Sequence, residues 1–84
     1  MRPQDVIAEF DGRGIRVKIA ELDKETILIE GTAEGLVFLS RLLAAQAECD
    51  DDGYQMEPFG AGSAWFARGS TKGFYIHRVT DTPT

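Results

Sequence analysis

The order of apolar and polar residues along the chain changes period twice, from two to helical and back, and those changes divide it. In "VIAEF" the alternation puts Val6, Ala8 and Phe10 on one side, as in a strand with one buried face. "IRVKIAEL" repeats it more cleanly, with Ile15, Val17 and Ile19 facing one way and Arg16 and Lys18 the other. Between the two lies "DGRG", whose Asp-Gly pair and second glycine supply the positive-φ positions of a hairpin turn. "DKE" is a second short polar link, leading into "TILIE", where Ile27 and Ile29 alternate with Thr26, Leu28 and Glu30. A three-stranded antiparallel meander is the simplest reading of this third of the chain.

From "GTAEGLVFLSRLLAAQAE" onward the period becomes helical. Leu36, Leu39, Leu43 and Ala47 recur at spacings of three, four and four, and Phe38 and Leu42 widen the stripe. Thr32 is placed to cap the helix, and Glu34 puts negative charge at the positive end of its dipole. Gly35 costs the first turn about 1 kcal/mol relative to alanine, which close packing against the sheet would explain. The run "CDDDG" ends the helix, since three aspartates are unfavourable at a helix C-terminus and suit a loop. "YQMEPF" reads as a short strand bounded by Pro58, and "GFYIHRV" as a final strand rich in aromatic and β-branched residues. The expected fold is α+β, one domain over residues 1–84: an antiparallel sheet of about four to five strands in the order β-β-β-α-β-β, with one helix packed on one face.

Charge and cysteine usage narrow the functional classes. The net charge is −5, and its distribution is uneven: residues 19–57 hold ten acidic and two basic groups, whereas residues 1–18 hold three and four. An acidic middle repels phosphate, so nucleic acid is not an expected partner, while a basic protein surface would suit it. Cys49 is the only cysteine, which excludes an intramolecular disulfide and a four-cysteine zinc site. No signal-peptide-like run or apolar span of membrane length is present, so a cytoplasmic protein without membrane association is expected.

Several motifs suggest chemistry and then fail on order or context. "GSTKG", Gly69 to Gly73, has the residues of a phosphate loop in the wrong order, and it precedes a strand rather than a helix. Gly60 and Gly62 lack the third glycine of a dinucleotide fingerprint. His77 has no second histidine, and Ser63 or Ser70 lacks a nucleophile-elbow pattern, so no enzyme activity, metal or cofactor is expected. Asp50, Asp51 and Asp52 are consecutive, so their side chains diverge instead of converging on calcium in EF-hand spacing. Phe59 to Gly73 is then a connection between strands, with Trp65 and Phe66 pinning its middle to the core.

What remains is a surface for a protein partner. With Ile15, Val17 and Ile19 turned toward the helix, Arg16 and Lys18 lie on the open sheet face. Tyr75, His77 and Trp65 would join them there, and the acidic Asp50, Asp51 and Asp52 would complete the set. An exposed edge strand would also allow a homodimer.

The segment "ILIEGTAEGLVFLSRLLAAQAE", Ile27 to Glu48, resembles the bacterial immunity protein 32 family. The likeness lies in a strand ending Ile-Glu-Gly, a small cap, Glu-Gly-Leu and a leucine-rich helix, with vaguer agreement in "GFYIHRV". The resemblance implies a small α+β protein that neutralises a toxin by direct binding, and it carries no catalytic or metal residue. The alternative is a small-molecule-binding or accessory domain that uses the glycine-rich loop 59–73.

Overall fold

The computed structural model describes residues 1–49 and 53–79. Their element order is α1 (Pro3–Phe10), β1 (Val17–Asp23), β2 (Thr26–Gly31), α2 (Ala33–Ala47), β3 (Tyr54–Met56), a single 3-10 turn (Ser63–Trp65) and β4 (Phe74–Ile76). The class is α+β, as expected, but the arrangement differs in two ways.

First, "VIAEF" is helical. Val6 and Phe10 share a face in a strand and in a helix alike, so the residue that decides is Ala8, which is exposed. Pro3 opens the helix where its missing N–H costs nothing, and the Asp5 carboxylate accepts the Arg2 amide at 2.9 Å. Pro3, Val6 and Phe10 then form a buried stripe at helical spacing. Gly12 and Gly14 do adopt positive φ, +80° and +70°, but they carry the chain from a helix into β1 rather than around a hairpin.

Second, the sheet is not continuous. β1 and β2 form one antiparallel hairpin, with Val17 opposite Gly31, Ile19 opposite Ile29 and Glu21 opposite Ile27. β3 and β4 form another, with Tyr54 opposite Ile76 and Met56 opposite Phe74. The segment between them docks along the free edge of β1 without becoming a strand. The Ala67 amide donates to the Val17 carbonyl at 2.6 Å, and Thr71 and Lys72 both donate to that of Ile19 at 2.9 and 3.1 Å. A turn at Ala67–Ser70, with Gly69 at φ +93°, breaks the ladder between these contacts. The Ser70 hydroxyl fills the break: it is buried, accepts the Ile19 amide at 3.2 Å and donates to the Ala67 carbonyl at 2.8 Å.

The core lies among the two helices and the two hairpins. Phe38 is fully buried and central, with its ring 5.4 Å from that of Phe10 and stacked on Trp65 at 4.4 Å. Val6, Ile15, Ile19, Leu42, Ala45, Met56 and Phe66 surround it. Arg41 joins the helices at the rim through a 2.6 Å ion pair with Glu9. Helix α2 begins as expected, the Thr32 hydroxyl accepting the Gly35 amide at 3.1 Å. Gly35 is also packed as expected, since a Cβ there would sit 3.2 Å from Cγ1 of Val17.

Candidate functional site

Helix α2 has two apolar faces. Phe38, Leu42 and Ala45 enter the core, whereas Leu36 and Leu43 are about half exposed and Leu39 is partly covered. The expected core stripe of Leu36, Leu39, Leu43 and Ala47 is thus corrected: the buried stripe runs through Phe38 and Leu42, about one helical step around. Leu36, Leu39 and Leu43 instead form one wall of an open groove of about 370 Å³. Its other side is supplied by Ile27 and Ile29 of β2, with Ile19 below and Phe74 and Ile76 of β4 at one end.

The groove is open because of how the strands are paired. One edge of β1 holds β2 and the other holds residues 67–72. After Gly73 the chain turns away to pair with β3, its backbone pressed against that of Met56 and Glu57. Among the described residues no strand lies along the outer edge of β2. Ile27 and Ile29 therefore lack a neighbouring strand on one side, and each is at least half exposed, whereas Ile19 on β1 is buried.

Chemically the groove can only receive apolar surface. Ser40 is the single polar side chain lining it, and no lining residue titrates between pH 3 and 10. Four aliphatic side chains exposed side by side form the kind of contiguous patch that marks an interaction site on a small protein.

The residues expected to form a partner surface are dispersed. Arg16 is exposed, its guanidinium donating to the Ile15 carbonyl at 3.1 Å, and the half-buried Lys18 runs over Gly69. Trp65 is held in the core against Phe38 and is not on an open sheet face. Tyr75 and His77 are both exposed, with ring centroids 6.2 Å apart, and Tyr75 covers Gly53. Phe74 and Ile76 face inward, as the alternation requires. With Arg16 and Lys18 beside one hairpin and Tyr75 and His77 beside the other, the single sheet face that would have united them does not exist. Asp50, Asp51 and Asp52 lie outside the described residues.

The glycine-rich segment has no ligand cradle of the phosphate-loop kind. It folds as consecutive turns, with Glu57 donating to Ala61 at 2.7 Å and Trp65 to Gly62 at 3.0 Å, and no α-helix starts from it. A cleft of about 90 Å³ between Trp65 and residues 11–16 has room for only a few waters. Among the described residues no group of three histidine, cysteine or acidic side chains is placed to hold a metal, and no helix is long and apolar enough to cross a membrane.

The groove was missed in the sequence, although two signals pointed to it. Helix α2 carries more apolar residues than one buried stripe requires, and "TILIE" puts aliphatic residues on both faces of its strand. Comparison with known proteins adds no name to these features: no family model, curated protein or solved structure matches the chain.

Proposed function

We propose that the protein acts by binding another protein through the groove between α2, β2 and β4, and that its role is of the immunity type, neutralising a toxin by direct contact. The observation that supports this is the groove itself: Ile27, Ile29, Leu36 and Leu43 are side by side, about half exposed, with no titratable side chain among the lining residues. Six of its ten lining residues come from Ile27 to Glu48, the segment that carries the family resemblance. Each of the four is about half open, and since fully burying such a side chain is worth about 1.5–3 kcal/mol, covering the rest of all four contributes on the order of 3–6 kcal/mol before the costs of association. The net charge of −5 favours a basic partner around this apolar centre.

The experiment is capture of partners from the source cell with tagged wild type and with Leu43→Arg, folding of the variant being checked by circular dichroism. A protein retained by wild type, lost by Leu43→Arg, toxic when expressed alone and harmless when co-expressed would establish both parts. Equal retention by the two baits would remove the groove from the contact surface.

A further inference from the structure

Ile29 is 56% exposed on a strand along whose outer edge no strand lies among the described residues, and the sequence of that edge is self-complementary. We infer that, in the absence of a heterologous partner, a second copy of this chain covers the groove, β2 pairing antiparallel with β2 of the second copy about a two-fold axis at Leu28. This rests on the reading of the groove as a docking surface and assigns its resting occupant.

The register follows from the strand sequence. With the axis at Leu28, Ile27 of each copy lies opposite Ile29 of the other, Leu28 opposite Leu28, and Thr26 opposite Glu30. No like charges are directly opposed, and the Glu30 carboxylate faces a hydroxyl donor. Shifting the axis to Ile29 would set Leu28 against Glu30, and shifting it to Ile27 would set Ile29 against Glu25. The Leu28 register is therefore the one that matches aliphatic with aliphatic throughout.

The geometry of the groove suits the same axis. A two-fold perpendicular to the sheet keeps both copies of α2 on one face, so Leu36 and Leu43 of each close over the shared row of isoleucines. The result is a four-stranded antiparallel sheet, β1-β2-β2-β1, with its apolar face covered. The exposed side chains on the two sides, together with the strand edges, bury on the order of 1,000 Å² in total, the lower bound for a specific interface. Interfaces of this size are reversible, as a resting state that yields to a partner requires. Each copy carries a charge of −5, so added salt should tighten the pair by screening.

The test is sedimentation velocity of the purified chain over a range of concentrations, with Ile29→Glu for comparison. Wild type should form a concentration-dependent dimer, and Ile29→Glu should weaken it about 30-fold or more while keeping the circular dichroism of the monomer. Cysteine cross-linking under mild oxidation then reads the register in otherwise native chains. Leu28→Cys should form a covalent dimer and Thr26→Cys alone should not, whereas Thr26→Cys with Glu30→Cys should. Wild type that sediments as a monomer throughout overturns the dimer, as does a dimer indifferent to Ile29→Glu. Efficient cross-linking by Thr26→Cys alone overturns the register. A monomeric wild type whose captured toxin is lost on Leu43→Arg would reject the second copy and leave the proposed function standing.

Discussion

Ile19 and Ile29 lie directly opposite each other across β1 and β2, yet Ile19 is 4% exposed and Ile29 56%. Two residues of one type on one face of one hairpin thus have different surroundings, because Ile19 belongs to the core cluster on a strand flanked along both edges, while Ile29 lies on β2, whose outer edge carries no strand among the described residues. Replacing Ile19 with alanine should cost about 2–4 kcal/mol through lost burial and a cavity. Replacing Ile29 with threonine should cost less than about 1 kcal/mol in the same urea titrations, run dilute enough to hold the chain monomeric. Equal losses would mean that Ile29 is covered in the free protein.

Trp65 stacks on Phe38 with the ring planes 14° apart, and it is the chain's only tryptophan. Its fluorescence therefore reports on the centre of the core. Phe38→Leu should red-shift the native emission by admitting water beside the indole, and should destabilise the fold by about 1–3 kcal/mol. Tyr75→Ala, on an exposed ring, should leave that emission unchanged.

How much of this was legible in the sequence depends on whether a pattern has one physical solution. Thr32, Glu34 and the leucine-rich run announced α2, because a cap followed by a 3.6-residue period fits little else. The buried Ile15, Val17 and Ile19 were equally clear from their alternation. α1 was misread because Val6 and Phe10 satisfy both periods, and only the Pro3 and Asp5 start signal separates them. The groove could not be located from the chain alone. Whether Leu43 or Leu42 is buried turns on where the segment before β4 leaves the edge of β1, and that is set by the turn at Ala67–Ser70 and the close approach of Gly73 to Met56.

Gly35 in the first turns of α2 lies against Val17, whose Cγ1 would be 3.2 Å from an added Cβ, with the Arg16 carbonyl at 3.5 Å. Alanine would gain about 1 kcal/mol of helix propensity, but Val17 is fully buried and has little room to yield. Gly35→Ala should therefore be destabilising overall. In the Val17→Ala background the same substitution should become neutral or stabilising, a coupling of about 1 kcal/mol or more by double-mutant cycle. Strict additivity would show that the helix shifts freely on the hairpin.

The pH dependence of stability should have a contribution at each extreme, with opposite signs of slope. At the β1–β2 turn the Glu25 amide donates to the Asp23 carboxylate at 2.8 Å, and this bond, with further help from the Thr26 hydroxyl, holds the Asp23 carboxyl below the usual carboxylate range. The ionised form is favoured in the folded state, so its stabilisation is present above the unfolded-state pKa and is lost as pH falls through the folded one. Burial pushes the Tyr54 hydroxyl up from its ordinary value. The neutral phenol is favoured in the folded state, so that contribution is present below about pH 10 and is lost as pH rises further. Carbon-detected NMR should find Asp23 titrating at lower pH in the folded chain than in the urea-unfolded one. Asp23→Asn should flatten the acid limb of the stability profile and Tyr54→Phe the alkaline limb. A folded-state Asp23 midpoint at or above the unfolded one would show that the turn's hydrogen bond does not persist in solution.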